Sequence, residues 1–384
     1  MHRRKIAVIT STRADYGILR PLLQKIDQDE ALTLELIVTG SHLLQEHGYT
    51  LQEIKKDFTT FTKVAMHLSD NTAVQNSIAM AQLQSDMTTT LNNLTPDIVV
   101  ILGDRFEILS VAISAMMLHI PIAHLHGGEL TQGAMDDSIR HAVTKLSHLH
   151  FTATQEYAQR VIQMGEEPHR VYNVGALGVE NIKNISLMSK EELENSLHFQ
   201  FQKQNLLVTY HPQTLSKYTP KEQIQTLLDA LEHFRDTGII FTKSNIDEGG
   251  EIINKALQKY VDTHPHTLLV DSLGMQRYFS AIKVVDCVVG NSSSGILEVP
   301  SFHTPTVDIG ERQKGRIYAP SVLKTPLEKQ SIIHTINKAL SHTFQTTLIT
   351  LKNPYEGENT SFQIKEILKK TSLEQLQYKK FFTP

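Results

Sequence analysis

The fold of this chain is decided by a stretch that reads Val284-Val285-Asp286-Cys287-Val288-Val289-Gly290-Asn291-Ser292-Ser293-Ser294-Gly295. Its first half is a short apolar run with one interruption, which is typical of a strand buried on both faces of a sheet. Its second half consists of small and polar residues, and a candidate helix begins near Ile296. A buried strand followed by a polar loop and a helix is the repeating unit of a parallel sheet covered by helices.

The same alternation of strands and helices extends through the rest of the chain. The predicted strands are 5–10, 32–39, 97–102, 120–124, 150–154, 170–174, 205–210, 238–242, 268–270, 284–289 and 306–309, and the predicted helices include 72–94, 136–147, 222–235 and 251–260. About six strand–helix units lie on each side of a polar stretch at 189–197. We therefore predict an α/β fold of two Rossmann-like domains, 1–188 and 189–384, with parallel sheets and a ligand cleft between the domains.

The composition indicates a water-soluble enzyme-sized protein. The chain has 384 residues, of which 40% are hydrophobic and 20% charged, and its formal net charge of −4 gives no general attraction to nucleic acid or to an anionic membrane. The apolar run 6–9 is too short for a signal peptide, and no stretch approaches the ~20 apolar residues that span a bilayer. The single cysteine, Cys287, is predicted to be a buried thiol. We expect a cytoplasmic protein without nucleic-acid or membrane partners.

Polar motifs follow most of the predicted strands at the ends where they leave the sheet. They are 11–17 (STRADYG), 40–42 (GSH), 103–105 (GDR), 126–129 (HGGE), 211–212 (HP), 245–247 (NID) and 290–295 (GNSSSG). Ligands of open parallel sheets bind beyond the carboxyl ends of the strands. One such motif is compatible with an ordinary turn, but their recurrence at equivalent ends predicts a ligand site.

Two of these motifs contain groups that suit a phosphate. The loop 290–295 offers small residues, serine hydroxyls and the start of a helix, although a loop that only caps a helix has the same composition. Glu298, placed one turn into that predicted helix, can accept hydrogen bonds from ribose hydroxyls, and Arg13 can pair with a diphosphate. The alternatives are an ordinary first-turn glutamate and a surface arginine. Neither a Gly-x-Gly-x-x-Gly motif nor a Gly-Lys-Ser/Thr motif is present.

A cluster in the middle of the first half allows either a metal site or acid–base chemistry. It contains His124, His126 and His141 with Glu129, Asp136 and Asp137 between them. His-x-His on a strand places both rings on one face, but His-Glu-x-x-His is absent and no cysteine lies nearby. We therefore predict no metal, and we interpret Asp104, Asp136 and the histidines as acids and bases.

Taken together, the motifs resemble the hydrolysing UDP-N-acetylglucosamine 2-epimerases of sialic acid biosynthesis. The matching segments are 12–16 (TRADY), 38–42 (VTGSH), 102–107 (LGDRFE), 126–129 (HGGE), 136–141 (DDSIRH), 211–212 (HP), 291–295 (NSSSG) and 312–316 (RQKGR), in order over nearly the whole chain. The non-hydrolysing epimerases carry Gly-Thr-Arg-Pro-Glu and Glu-Ala-Gly-Leu-Arg at the first and fourth of these places. The resemblance implies a pair of Rossmann-like domains of the glycosyltransferase-B type.

The resemblance also implies roles for individual residues. It implies contacts with UDP for Arg13, Asn245, Ser292, Ser293, Glu298 and Arg312, catalysis by Asp104 and Asp136, and positions near the sugar or diphosphate for His42, Arg105 and His211. We include His126 and His211 among the catalytic candidates. The chain departs from the family pattern at two places: many members have glutamate where His126 stands, and some have a UDP-contacting serine where Gly17 stands.

The family reaction that the resemblance implies is loss of UDP to form a glycal, followed by hydration and reprotonation of C2 from the other face. It needs no cofactor. The expected substrate is UDP-N-acetylglucosamine, and relatives that act on UDP-N,N'-diacetylbacillosamine in legionaminic acid synthesis make that sugar the alternative. A transferase of the same architecture and a non-catalytic nucleotide-sugar sensor are the competing interpretations. Members are commonly dimers or tetramers, so we expect a homo-oligomer.

Overall fold

A computed structural model describes residues 3–44, 50–67, 72–132, 135–213, 216–244, 249–376 and 378–383. The strands are β1 Arg4–Thr10, β2 Leu32–Val38, β3 Thr62–Lys63, β4 Ile98–Leu102, β5 Ile122–Leu125, β6 Leu149–Thr152, β7 Val171–Asn173, β8 Asn205–Thr209, β9 Gly238–Thr242, β10 Thr267–Val270, β11 Cys287–Gly290, β12 Thr306–Ile309 and β13 Val322–Thr325. The helices are α1 Arg13–Asp27, α2 Leu51–Asp57, α3 Ala73–Leu94, α4 Phe106–Met117, α5 Met135–Leu146, α6 Gln155–Gln163, α7 Leu177–Asn184, α8 Lys190–Leu197, α9 Pro220–Leu231, α10 Gly250–Val261, α11 Gly274–Val284, α12 Ser294–Leu297, α13 Lys329–Leu340, α14 His342–Thr346, α15 Thr360–Lys370 and α16 Leu373–Leu376.

The strands form two sheets, and the strand pairs within both are parallel. The first sheet has the order β3-β2-β1-β4-β5-β6-β7, and the second has the order β10-β9-β8-β11-β12-β13. The register of the first sheet pairs Val8 with Leu36 on one side and with Val100 on the other. These are the doubly wound orders of Rossmann-like folds, so the predicted fold class is confirmed.

Each sheet is buried on both faces because its strands are apolar at successive positions. In β1, Ile6 and Val8 face one core with α1, whereas Ala7 and Ile9 face another core with α3 and α4. The second sheet divides in the same way between two further cores. Each fully buried aliphatic side chain contributes roughly 1.5–3 kcal/mol to the stability of the fold. Continuous apolar strands therefore dictate a sheet with helices on both sides.

The order of strands reverses at one point in each sheet, and both points bring polar loops together. In the first sheet the reversal lies between β1 and β4, and in the second it lies between β8 and β11. Gly290 ends β11 with a φ of +141°, and an added Cβ would lie 1.8 Å from the carbonyl oxygen of Thr209. Only glycine allows this close approach, which fixes where the next loop leaves the sheet.

The chain divides into two compact units. The first contains 1–129, 134–181 and 357–384, and the second contains 130–133 and 182–356. The final segment 357–384, which falls within our predicted domain 189–384, therefore groups with the first unit. The reason is apolar packing, since Ile364 and Leu368 of α15 join the core that includes Leu19 and Leu22 of α1.

Three local features differ from the sequence-based expectations. The short edge strands β3 and β13 were not predicted, because two residues and a Val-Leu-Lys-Thr stretch carry too little pattern. The helix expected near Ile296 is the single turn α12, followed by a 3-10 helix at Val299–Phe302. Pro300 explains this ending, because it has no N–H to donate to the carbonyl oxygen of Ile296 in a continued α-helix.

Candidate functional site

In the first unit, Asp104 is held by a buried arginine. Asp104 follows β4, and its carboxylate accepts a hydrogen bond from Nη2 of Arg140 on α5. The guanidinium of Arg140, whose side chain is 3% exposed, also donates through Nη1 to the carbonyl oxygen of Glu129 at 2.9 Å and to Asp137 Oδ1 at 3.4 Å. A buried guanidinium with three acceptors has a fixed orientation, so Asp104 is positioned as a carboxylate.

A second charged group lies beside it at the start of α4. Nε of Arg105 donates to Oε1 of the buried Glu107 at 2.7 Å. Desolvation acts to lower the pKa of Arg105, but the negative charges of Glu107, Asp15 and Asp136 outweigh it and raise that pKa. Asp15 has a raised pKa because it is desolvated, although a hydrogen bond from Ser11 and the charge of Arg105 oppose the rise. Arg105 is therefore a permanent cation among carboxylates.

His126 occupies an unusual backbone position directly after β5. Its φ is +65°, in the left-handed region, and its Nδ1 lies 2.7 Å from Oε1 of Glu129. Its Nε2 is buried and has no hydrogen-bond partner among the described residues. The two glycines that follow allow the tight turn, since a Cβ on Gly128 would lie 2.4 Å from the carbonyl oxygen of Tyr157.

The histidines of the metal hypothesis have different partners. Nε2 of His124 lies 2.8 Å from the carbonyl oxygen of Gly103, and burial lowers the pKa of His124 to about 3. His126 bonds to Glu129, and Nε2 of His141 lies 3.5 Å from Oδ2 of Asp137. Across the residues that the structure describes, no group of three histidine, cysteine or acidic side chains is arranged to hold a metal ion.

Two predicted residues lie at the ends of β1 and β2. Arg13 is the first residue of α1, and its half-exposed guanidinium pairs with Oε1 of Glu53 at 2.9 Å. His42 is fully buried, with Nε2 2.9 Å from Thr10 Oγ1 and Nδ1 2.7 Å from Thr50 Oγ1. Burial lowers the pKa of His42 to about 4. Both ring nitrogens of His42 are thus engaged by hydroxyl groups of the protein.

In the second unit, an asparagine joins the ends of β8 and β11. The backbone N–H of His211 donates to Asn291 Oδ1 at 2.8 Å, and Asn291 Nδ2 donates to the carbonyl oxygen of His211 at 2.8 Å. Nδ1 of His211 lies 3.2 Å from Ser244 Oγ. Burial, followed by the charge of Arg312, lowers the pKa of His211 to about 3. The imidazole of His211 is therefore uncharged near neutral pH.

The serine loop, which follows β11 from Asn291, is held by hydrogen bonds from the side chains of Arg312 and Gln313. Arg312 Nη1 and Gln313 Nε2 donate to the carbonyl oxygen of Asn291 at 3.2 and 2.8 Å. Ser292 and Ser293 are partly exposed. The loop thus presents two hydroxyl groups and a guanidinium close together, which are donors that suit a phosphate.

Glu298 is the C-cap of α12, one turn after the helix begins at Ser294, and the 3-10 helix Val299–Phe302 follows it directly. The hydroxyl of Tyr278 donates to Ser294 Oγ at 2.8 Å, and the negative charge of Glu298 is close enough to raise the pKa of Tyr278 in addition to burial. Asn245 lies outside the described residues.

These contacts link some of the predicted residues within each unit and involve further residues that the sequence analysis did not select. Arg140 connects Asp104 to the segment of His126 through the carbonyl oxygen of Glu129. The charge of Asp136 acts on Arg105, and Arg312 bonds to the carbonyl oxygen next to Ser292. Arg13 and His42 have other partners. The residues not selected are Arg140, Glu107, Asn291 and Gln313. Arg140 had a detectable signal, since it lies four residues after Asp136 on one helix face, and an arginine so placed is expected to pair with carboxylates.

Two doubly wound units, each with charged or donor-rich loops at the strand-order reversal, are the fold class of the glycosyltransferase-B type. A family model described as UDP-N-acetylglucosamine 2-epimerase matches residues 24–369. The chain belongs to this family, and its relatives place it among the hydrolysing 2-epimerases of nucleotide sugars.

Three curated relatives illustrate this. A Campylobacter jejuni protein named GDP/UDP-N,N'-diacetylbacillosamine 2-epimerase (hydrolyzing) is 43% identical over 328 residues, 85% of each chain. The Escherichia coli polysialic acid biosynthesis protein P7 is 39% identical over 369 residues, 95% of this chain and 94% of the relative. A Legionella pneumophila protein named UDP-N,N'-diacetylbacillosamine 2-epimerase (hydrolyzing) is 34% identical over 367 residues, 95% of this chain and 96% of the relative.

A solved structure supports the fold. The UDP-GlcNAc 2-epimerase of Neisseria meningitidis, in a structure with UDP-GlcNAc, superposes with a TM-score of 0.82 over 96% of this chain and 100% of that chain at 17% identity.

Among the described residues, no helix is long and apolar enough to cross a membrane.

Proposed function

We propose that this enzyme converts UDP-N,N'-diacetylbacillosamine into free UDP and the 2-epimeric sugar, which was the alternative substrate in the sequence analysis. The observation that carries this choice is the 43% identity, over 85% of both chains, with a relative named for the diacetylbacillosamine substrate. The Legionella relative, at 34% identity, is named for the same sugar. UDP-N-acetylglucosamine is the second candidate, supported by the 39% identical polysialic acid biosynthesis protein.

The proposed chemistry follows from the low acidity of the C2 proton of the substrate. The C2 proton of an acetamido sugar is not acidic, so its removal is coupled to departure of UDP from C1. The groups of the first unit suit this proton transfer, because Asp104, Asp136 and His126 supply acids and bases. Arg105 lies beside them as a cation for the leaving diphosphate.

The second unit supplies the groups that bind UDP. Ser292, Ser293 and Arg312 donate to the phosphates, and His211 adds a neutral imidazole. Glu298 accepts from the ribose hydroxyls, with Asn245 assigned to the uridine on the family resemblance alone. Arg13 completes the set of cations for the diphosphate. No cofactor enters this scheme, since the glycal forms and is hydrated by acid–base chemistry.

The experiment is product analysis in deuterated water. Purified protein is incubated with each UDP-sugar, and with the GDP-linked form of diacetylbacillosamine, in the presence of EDTA and without an acceptor. We expect free UDP and a 2-epimeric sugar carrying deuterium at C2. We expect kcat/KM to be about tenfold higher for the diacetylated sugar, because the sugars differ at C4 and C6 and the fit of one small group contributes ~1–3 kcal/mol.

Each outcome assigns one activity. Equal or higher kcat/KM with UDP-N-acetylglucosamine contradicts the proposed substrate and favours the second candidate. Release of UDP only when an acceptor sugar is added identifies a transferase. Binding of the two UDP-sugars without turnover identifies a sensor. Light scattering in the same buffer tests the prediction of a homo-oligomer.

A further inference from the structure

We propose that His126 and Glu129 form a proton-transfer dyad, in which His126 Nε2 removes the C2 proton of the sugar and Glu129 positions the ring. This rests on the proposed elimination chemistry and assigns one of its steps. His126 is the catalytic residue in this proposal, and Glu129 acts through it as a positioning residue.

The backbone at His126 is built for one orientation. Its φ of +65° lies in a region that non-glycine residues seldom adopt, and such conformations persist where the surrounding structure imposes them. The close approach of Gly128 to the carbonyl oxygen of Tyr157 leaves no room for a side chain in the next turn. The backbone that carries the His126 imidazole is therefore fixed by the packing of this turn, and the bond to Glu129 orients the ring.

The carboxylate of Glu129 then selects the tautomer. Glu129 is 3% exposed, and its Oε1 lies 2.7 Å from His126 Nδ1. A carboxylate accepts hydrogen bonds and cannot donate them, so Nδ1 carries a hydrogen, and in the neutral ring Nε2 then has the lone pair. Nε2 is buried and has no partner among the described residues, whereas the His126 side chain as a whole is 15% exposed. This arrangement suits a base that accepts a proton from a bound ligand.

A second histidine–carboxylate pair provides an internal contrast. His150 Nε2 lies 2.9 Å from Glu166 Oε2, but the His150 side chain is 0% exposed, and Lys145 and Lys379 also bind Glu166. That pair is closed off by its own unit and serves the packing of the chain. In both histidines the second ring nitrogen has no hydrogen-bond partner among the described residues, and His126 differs in that its side chain is 15% exposed.

The assigned step balances as follows. The Nε2 lone pair takes the C2 proton, the C2–H electron pair forms the C1=C2 double bond, and the C1–O bond breaks with its electrons leaving on UDP. Glu129 stabilises the imidazolium that results. Water then adds to C1 and loses one proton to solvent, while a second acid protonates C2 from the opposite face and is reprotonated from solvent; Asp104 and Asp136 are available for this role. His126 releases its proton to solvent, and the net reaction consumes one water.

The test separates the two half-reactions. His126→Asn is chosen because asparagine tolerates a left-handed backbone. With the UDP-sugar that the wild type turns over, we expect elimination to fall about 10³-fold, while hydration of the supplied acetamidoglycal stays within about threefold. The matched control is His150→Asn, which should retain both half-reactions. Loss of glycal hydration with UDP release intact overturns the assignment.

Glu129→Gln tests the positioning role. We expect kcat to fall about 30-fold with KM unchanged, and the acidic limb of the kcat profile to move to lower pH, because the imidazolium loses its counter-charge. An unchanged limb contradicts the dyad even if kcat falls, since a purely structural defect does not move it.

The resting dyad is also visible without turnover. In ¹⁵N spectra of the wild type, with His126 assigned by its loss in His126→Asn, we expect Nδ1 protonated and Nε2 unprotonated. The opposite tautomer overturns the dyad. A wild type that turns over neither UDP-sugar refutes the proposed function instead, so the two failures are distinguishable.

Discussion

The two units share one topology but place different chemistry at the same point of it. Where β4 ends in the first unit, the chain continues with Gly103, Asp104 and Arg105, next to the buried Arg140. Where β11 ends in the second unit, Gly290 is followed by the neutral Asn291 and a run of serines. The strand order defines where a ligand site can form, and the side chains of the loops decide whether it transfers protons or binds phosphate.

The contrast extends to how each loop is held in place. In the first unit the supports are ionic, since Arg140 binds Asp104 and Arg105 binds Glu107. In the second unit the supported groups are backbone atoms, because Asn291 bonds twice to the backbone of His211, and Gln313 and Arg312 donate to the carbonyl oxygen of Asn291. The arginines of the first unit therefore hold carboxylates, which can titrate, whereas the side chains of the second unit hold backbone groups, which do not. This difference predicts which substitutions affect turnover and which affect binding.

The largest effect is expected at Asp104. Asp104→Asn removes an ionisable group but keeps the shape of the side chain, so we expect kcat to fall about 10³-fold with UDP affinity unchanged. Steady-state kinetics and calorimetric titration with UDP measure the two quantities. Asp86→Asn, on the exposed face of α3, is the matched control and should be neutral. Weaker UDP binding by Asp104→Asn would mean that Asp104 contributes to UDP binding. The proposed difference in role between the two units would then be wrong.

The next largest effect is expected at Arg140. Arg140→Lys keeps the charge but loses the fork that reaches Asp104 and the carbonyl oxygen of Glu129 together. We expect kcat to fall about 100-fold through misplacement of Asp104, with UDP affinity retained. Activity measured with Asp104→Asn, Arg140→Lys and the double variant shows the coupling. If the losses of activity in the two single variants add fully, as free energies, in the double variant, Arg140 does not act through Asp104.

A smaller effect, on affinity, is expected at the serine loop. The double variant Ser292→Ala with Ser293→Ala should weaken UDP binding about 30-fold, because each of the two lost hydrogen bonds contributes a net of roughly 1 kcal/mol. Turnover at saturating substrate should change little. Ser294→Ala is the matched control, since its hydroxyl accepts from Tyr278 within the unit. Equal losses of UDP affinity in the control and the double variant would contradict phosphate binding by this loop.

The sequence predicts the fold better than the site, for a physical reason. Strands such as β4, Ile98–Leu102, are apolar at every position, so burial on both faces determines their structure locally. Arg140 acquires its role only when α5 packs beside the end of β4, and the left-handed backbone of His126 has no sequence signal beyond the glycines that follow it. The ending of α12 was predictable from Pro300, which cannot donate a backbone hydrogen bond inside a helix.

The smallest effect is expected at His211. It tests whether His211, which follows β8, has a different role from His126, which follows β5. Because the pKa of His211 lies at about 3, its imidazole does not change charge between pH 5 and 9, so it contributes no limb to the pH profile. We expect His211→Asn to weaken UDP binding about tenfold, or ~1.4 kcal/mol, and to leave the shape of the kcat profile unchanged. A shifted limb in this variant would assign proton transfer to the second unit, and the division of roles between the two units would then fail.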